Sequence, residues 1–373
     1  MVLATLSAFT LAGNVHGGDD GWRETLREGI EARESAIHSL RIKYAVVTEL
    51  TELHEAMRKR ALEKMAKHGT RSREEVDRLL KHPPSPTSTT KYKLVTSDGK
   101  IASSSADVAP DGQGQSIRRV FDGEILTALQ GDGLGTRMRA TPEDALPETT
   151  IDSLCQIDDF SLQEFLADPK ATSTLLPQTA GDEDVVFQVT LTTEKDSETG
   201  GQWEIIADIN ATKSFWPQHL VETVLSNAEG EPQRFIMQEV RCSDFQTTGG
   251  IDIPGKIEKN ISSMSVGGVV RRITLLVDQI AINEPIDASE FVLTFPPGTS
   301  YLDLDGEQKI VDPDWAIERL AAKIAKQYPV TDDTRNEQAW SSGPWQWVGA
   351  TTFLLAVVSA LYSLRYLRAR RST

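Results

Sequence analysis

The chain begins and ends with apolar stretches, and between them the hydrophobic positions change period several times. Trp22, Leu26, Ile30 and Ile37 recur near helical spacing, with Arg23, Arg27, Glu28, Glu31 and Glu34 between them. This predicts an amphipathic helix. The period then drops to two: Leu40, Ile42, Tyr44 and Val46 alternate with Arg41, Lys43, Ala45 and Val47, the signature of a half-buried strand. A charged helical segment follows from Glu49 to about Lys67. Gly69 breaks it, and Ser72-Arg-Glu-Glu75 reads as a capping box for a further helix to about Lys81. The Pro/Ser/Thr run HPPSPTSTT closes this unit, so residues 50–89 are predicted to be a helical insertion.

From Lys91 onward the strand signal dominates. YKLVTSDGKIASS and IRRVFDGEILTAL each carry an Asp-Gly pair between strand-like runs, the short-range signal for a hairpin. A helix is predicted for Asp152–Pro169. Strands resume with Phe187, Val189 and Leu191, and then with Trp203, Ile205, Ala207 and Ile209, each alternating with polar or outward neighbours. Further strands are expected at Leu220–Leu225, Phe235–Cys242, Lys256–Met264, Val269–Ile282 and Phe291–Phe295. With no sustained helical pattern between them, the strands form an antiparallel sheet rather than βαβ units. A short amphipathic helix follows Asp312, and no internal repeat is present. The predicted fold class is α+β. It comprises a curled antiparallel sheet forming an incomplete β-barrel, N-terminal and lid helices, and one C-terminal transmembrane helix.

That last element rests on residues 345–364, a run of about twenty residues free of charge and long enough to span a hydrocarbon core. Trp345 and Trp347 open it, and Tyr362 and Tyr366 stand near its other end, as in an aromatic belt. Arg365, Arg368, Arg370 and Arg371 follow without an acid, whereas Asp332, Asp333 and Glu337 precede it. The positive side stays in the cytoplasm. The expected organisation is a signal peptide at 1–17, an exported domain at 18–312, a helix and polar linker at 313–344, the span at 345–364 and a basic cytoplasmic tail at 365–373. The signal peptide is irregular, because its apolar stretch Val2–Ala12 has no basic residues before it. The expected location is a bacterial inner membrane, single-pass, with the ectodomain in the periplasm.

Composition narrows the function. The net charge of −16 repels nucleic acid and anionic lipid heads, so nucleic-acid binding is excluded as the main role. Two cysteines, Cys155 and Cys242, can form one bridge in an oxidising compartment or remain two buried thiols; the spacing leaves both open. The sequons at Asn210 and Asn260 matter only in a eukaryotic secretory pathway.

Motifs for chemistry are absent or incomplete. GDGLGTRM, Gly131 to Met138, lacks the lysine and the strand–loop–helix setting of a phosphate loop and reads as a turn. DLDGE, Asp303 to Glu307, lacks the spaced ligands of a calcium loop. His16, His38, His54, His68, His82 and His219 are scattered, with no metal-ligand spacing, and no Gly-x-Ser-x-Gly elbow occurs. No catalytic residue, metal ligand or cofactor is nominated, and the chain is expected not to be an enzyme. The remaining candidates lie on apolar strand faces: Tyr44, Phe187, Trp203, Ile205, Phe235 and Leu275 could line a ligand cavity or could be ordinary core.

Several segments resemble a known family. The helix WRETLREGIEARESAIHSLRIKYAVVTEL running into a first strand, RRVFDGEILTALQ, GIDIPGKIEKN and the closing FVLTFPPGTSYLDLD are similar to the opening, hairpin, strand-entry and closing segments of LolA/LolB-like, outer-membrane lipoprotein-sorting-like bacterial envelope proteins. The resemblance spans roughly residues 22 to 310. It implies an incomplete β-barrel with lid helices that holds lipid or lipoprotein acyl chains. The 50–89 insertion and the expected tether depart from that pattern, and a tether argues against a shuttle between membranes. The expected function is a membrane-tethered envelope module binding an apolar ligand, a lipid or a lipidated protein. The alternative is an envelope scaffold or signalling ectodomain with a packed core and a protein partner.

Overall fold

The computed structural model describes residues 21–108, 114–131, 133–157, 162–176, 184–192, 202–226, 233–314, 317–319 and 322. The chain divides into two compact units, Met1–Pro313 and Asp314–Thr373, and the strands among the described residues belong to the first.

Helix α1 (Gly21–Ala36) leads into β1 (Ser39–Leu50), and α2 (Glu52–Lys67) and α3 (Arg73–Lys81) follow it. Ser72 caps α3 by accepting from the Glu75 N–H at 3.2 Å, as its capping-box spacing predicts. Next come β2 (Thr87–Ser97), β3 (Lys100–Asp107), β4 (Ser116–Phe121), β5 (Ile125–Gln130) and β6 (Leu134–Arg139). Three short helices intervene, α4 (Pro142–Ala145), α5 (Ile151–Leu154) and α6 (Leu162–Ala167). The chain returns to strand as β7 (Thr172–Leu175), β8 (Val186–Thr192), β9 (Gln202–Asn210), β10 (Trp216–Ser226) and β11 (Gln233–Ser243). A small hairpin, β12 (Gln246–Thr248) and β13 (Ile251–Ile253), precedes β14 (Lys256–Ser263), β15 (Gly268–Ile282), β16 (Ser300–Leu302) and β17 (Gln308–Ile310).

Fifteen of these strands form one sheet, in the order β17-β16-β6-β5-β4-β3-β2-β1-β15-β14-β11-β10-β9-β8-β7. It is built from two meanders. One runs through β1 to β6 and the other through β7 to β15, and β1 joins β15 between them along Leu40↔Ile282 to Leu50↔Arg271. All neighbours are antiparallel except β16, which runs parallel to β6. The Asp98-Gly99 turn has both residues at positive φ (50° and 74°), the backbone that a two-residue hairpin requires. At the second Asp-Gly pair, Asp122 accepts from the N–H groups of Glu124 and Ile125 at 3.1 and 2.9 Å and closes a three-residue turn.

This corrects the predicted fold class. Among the described residues the sheet is open, with β17 and β7 at its two ends, and is not closed into a barrel. No helix among the described residues is long and apolar enough to cross a membrane. The expected span at 345–364, the tail at 365–373 and the signal peptide at 1–17 lie outside the described residues, as does most of 313–344.

Period two places Leu40, Ile42, Tyr44 and Val46 of β1 on one face of the sheet. Leu26 and Ile30 of α1 and Leu154, Phe165 and Leu166 of the short helices share the core cluster on that face. Close approach of α1 depends on Gly29, where a Cβ would stand 2.3 Å from the Phe215 ring. Arg23 donates to the carbonyls of Leu166, Asp168, Pro169 and Ala171 at 2.5–3.3 Å, tying α1 to the end of α6. The Arg33 guanidinium lies 4.1 Å from the centre of the Trp216 ring.

The opposite face is wet over much of the sheet but not everywhere. Val95, Ala102 and Val120, of β2, β3 and β4, are buried there beneath Ile286, Phe291 and Leu293. The strand predicted at Phe291–Phe295 is therefore corrected. It is a single helical turn at Ala288–Phe291 followed by irregular chain, held by Asp287 accepting from Ser289 and by the 2.6 Å Lys93–Glu290 ion pair. Its apolar residues cover the sheet's back and enter no ladder. The helix predicted over Asp152–Pro169 is likewise two short helices, α5 and α6.

Candidate functional site

Inward-facing side chains on a half-covered sheet should be apolar, yet several here are polar, and most of these hold one piece of chain. Residues 145–157 cross the covered face as a strap, gripped through backbone carbonyls. Ser103 of β3 donates to the carbonyl of Ala145 at 2.6 Å, and Arg119 of β4 to that of Leu146 at 3.4 Å. The Tyr44 hydroxyl of β1 donates to Thr149 at 2.6 Å, and the Lys259 ammonium of β14 to Gln156 at 2.8 Å. Arg119 also pairs with Glu148 at 2.5 Å. Burial pushes the Glu148 carboxyl up, but the hydrogen bonds from Arg119 and the backbone outweigh it and hold the group below its ordinary range. Burial, with Tyr92 stacked 5.1 Å away, raises the Tyr44 phenol above its ordinary range, so it remains a donor. At the far end of the strap the Cys155 sulfur lies 3.4 Å from that of Cys242, at the end of β11.

Most of the nominated cavity residues fall beneath this strap or in the packed core around it. Tyr44, Phe187, Ile205 and Leu275 are all buried members of the main core cluster. They pack into the covered face among the described residues. Trp203 and Phe235 differ. In register, Trp203 of β9 stands opposite Val224 of β10, and Val224 opposite Phe235 of β11. This row continues the face of Ile205 and Ala207 beyond the core. Trp203 is 37% exposed and Phe235 half-buried.

Between the filled core and this open row lies a polar belt that the sequence reading missed. Glu222 stands opposite Ile205 on one side and Gln238 on the other. Lys259 is one row deeper, opposite Val240. All three are buried, at 4%, 8% and 9% exposure. A signal was present: in HLVETVL the inward positions read Leu220, Glu222, Val224, and in KIEKNIS they read Ile257, Lys259, Ile261, with a charge in the middle of each apolar alternation.

No family model matches the chain, and no curated protein does. Among solved structures it is similar to a LolA superfamily protein from Nitrosomonas europaea, at 13% identity and a TM-score of 0.33, over 71% of this chain and 96% of that one. It is also similar to a DUF1329 family protein from Desulfovibrio piger, at 8% identity and a TM-score of 0.37, over 74% and 98%. At this identity and TM-score the likeness says nothing of ligand or partner.

A concavity of about 460 Å³ lies on the opposite face of β1 and β15 and is lined by Arg41, Lys43, Asp278, Gln279 and Glu284 among others. Its lining carries both signs of charge and little apolar surface, which does not suit a hydrocarbon chain. No cluster of metal-ligating side chains occurs among the described residues.

Proposed function

We propose that the chain is a non-catalytic extracytoplasmic module that takes up an acyl chain, of a lipid or a lipid-modified protein, at the open end of the strapped face. The carrying observation is the row Trp203–Val224–Phe235, which continues the inward face beyond the main core cluster, with Val224 buried and the Trp203 ring 37% exposed. Exposed apolar surface continuous with a core favours apolar occupants, and the belt of Glu222, Gln238 and Lys259 would set the limit of entry. A second reading, a scaffold that binds a protein partner, is favoured by the filling of the rest of the face by Tyr44, Phe187, Ile205 and Leu275.

Titration of the full chain with saturated fatty acids of increasing length separates the two. Binding at this row shifts tryptophan emission to the blue, and the Trp203→Phe variant loses that component. Each added methylene tightens binding roughly fourfold, from about 0.8 kcal/mol of burial. Phe235→Glu abolishes binding while leaving the melting temperature nearly unchanged. Affinity independent of chain length, or a shift that persists in Trp203→Phe, would overturn the acyl-chain reading in favour of the scaffold.

A further inference from the structure

We propose that Cys155 and Cys242 form a disulfide that staples the strap to the sheet, so that the covered face opens only in the reduced protein. The two positions are 87 residues apart in sequence, yet their sulfurs lie 3.4 Å apart and both side chains are buried in the main core. Cys155 directly follows α5, and Cys242 is the penultimate residue of β11. The sulfurs are within side-chain torsion of the covalent distance of about 2.05 Å.

The position in the strap gives the bond its consequence. The near end of the strap is gripped by Ser103, Arg119 and Tyr44, through side chains of β3, β4 and β1. Among the described residues, the far end is held by a hydrogen bond from Lys259 to Gln156 and by the packing of Leu154 and Ile157. That far end lies over β14 and β11, next to the Glu222–Gln238 belt. A covalent link there converts a segment that can lift into one that cannot.

The chemistry is thiol–disulfide exchange. One thiolate attacks the disulfide of a protein oxidant or of oxidised glutathione and displaces one of its sulfurs as a thiolate. The second cysteine then attacks the mixed disulfide and releases the other. Two S–H bonds are lost, one S–S bond forms, and two electrons and two protons leave with the reduced oxidant. In the folded chain the thiol–thiol contact with Cys242 and burial both push the Cys155 thiol up. Exchange with a bulky oxidant is therefore completed before the strap seats, and the closed bond is then shielded from reductant.

The test uses the full chain, unfolded and reduced, then refolded in parallel in oxidised glutathione and in excess reductant. Each sample is denatured and alkylated without further reduction. The oxidised sample should take up no alkyl group and weigh less by two hydrogens. It should melt about 5–10 °C above its reduced twin, the shift expected for closing a loop of this size in a domain of this length. Amide exchange at residues 149–157 should be slower in the oxidised sample by at least tenfold, and Cys155→Ala should behave as the reduced twin under both conditions. Full alkylation of both thiols, glutathione adducts in place of an internal bond, or equal exchange in the two samples would each overturn the proposal.

Discussion

Placing a carboxylate on the covered face at Ile205, with the neighbouring Ile206 as control, tests the face assignment on which the site depends. Ile205 is 7% exposed and stands opposite Leu191 of β8 and Glu222 of β10. Ile206 is half-buried and points to the other side. Ile205→Glu forfeits about 2–3 kcal/mol of side-chain burial. It also desolvates a carboxyl whose folded pKa would rise by up to roughly 3–5 units, at about 1.4 kcal/mol each. Glu222 opposite presents a second carboxyl rather than a cation. The sum at neutral pH is about 5–8 kcal/mol, enough to consume most of the stability of an ordinary domain. Ile206→Glu should cost about 1 kcal/mol.

The pH dependence has a fixed sign. A carboxyl whose folded pKa lies above its unfolded value costs nothing extra below the unfolded pKa, and its penalty grows as pH rises toward the folded one. Urea denaturation at about pH 4 and about pH 7.5 should therefore show the two variants drawing together in acid and separating at neutrality. Equal costs for both substitutions would refute the face assignment. A gap that does not change with pH would show that the introduced carboxyl is not buried.

Two further substitutions probe the scaffold. Arg23→Met removes the donor shared by the carbonyls of Leu166, Asp168, Pro169 and Ala171 and should cost about 2–4 kcal/mol in denaturant unfolding. A loss below about 0.5 kcal/mol would mean that the α1–α6 contact stands without it. Asp122→Ala should cost about 1 kcal/mol at neutral pH. The N–H groups of Ile125 and Glu124 hold the Asp122 carboxyl below its ordinary range, so this contribution is present above the unfolded pKa and is lost as pH falls through the folded one. A difference between Asp122→Ala and the parent chain that persists in strong acid would contradict the turn's dependence on the charged form.

Period-two alternation is enough to place β1, β8 and β9, because each carries one apolar side long enough to read. The Asp98-Gly99 pair announced its hairpin because both residues take the positive φ that the turn demands. Failures came where a residue serves a distant segment. Gly135 looks like loop in GDGLGTRM, yet it lies in β6. It is small because a Cβ there would stand 2.7 Å from the Phe295 ring and 2.8 Å from the Cβ of Tyr301, whose strand pairs alongside. Phe291 and Leu293 have the spacing of a strand but cover Val95, Ala102 and Val120 on the sheet's back. Of the cavity residues, Tyr44 is nominated by its apolar ring, while its hydroxyl is what acts, on the strap. No local pattern tells a strand residue that a segment a hundred positions away will cross over it. Cys155 and Cys242 are the exception, since only two cysteines exist to be matched.

The junction of β1 with β15 has a consequence for how the chain is made. Each meander grows by adding the next strand in sequence and can zip locally, but Leu40 meets Ile282 only after more than two hundred intervening residues have been synthesised. Closing so long a loop is the slow step in a fold of this kind. Until residues 268–282 leave the ribosome, the twelve-residue β1 presents one full edge of unpaired N–H and C=O groups. That edge is a template for pairing with another nascent chain. Fragments that stop short of Gly268 should aggregate, whereas the finished sheet ends on strands of only four residues and three, β7 and β17, too short to recruit a neighbour.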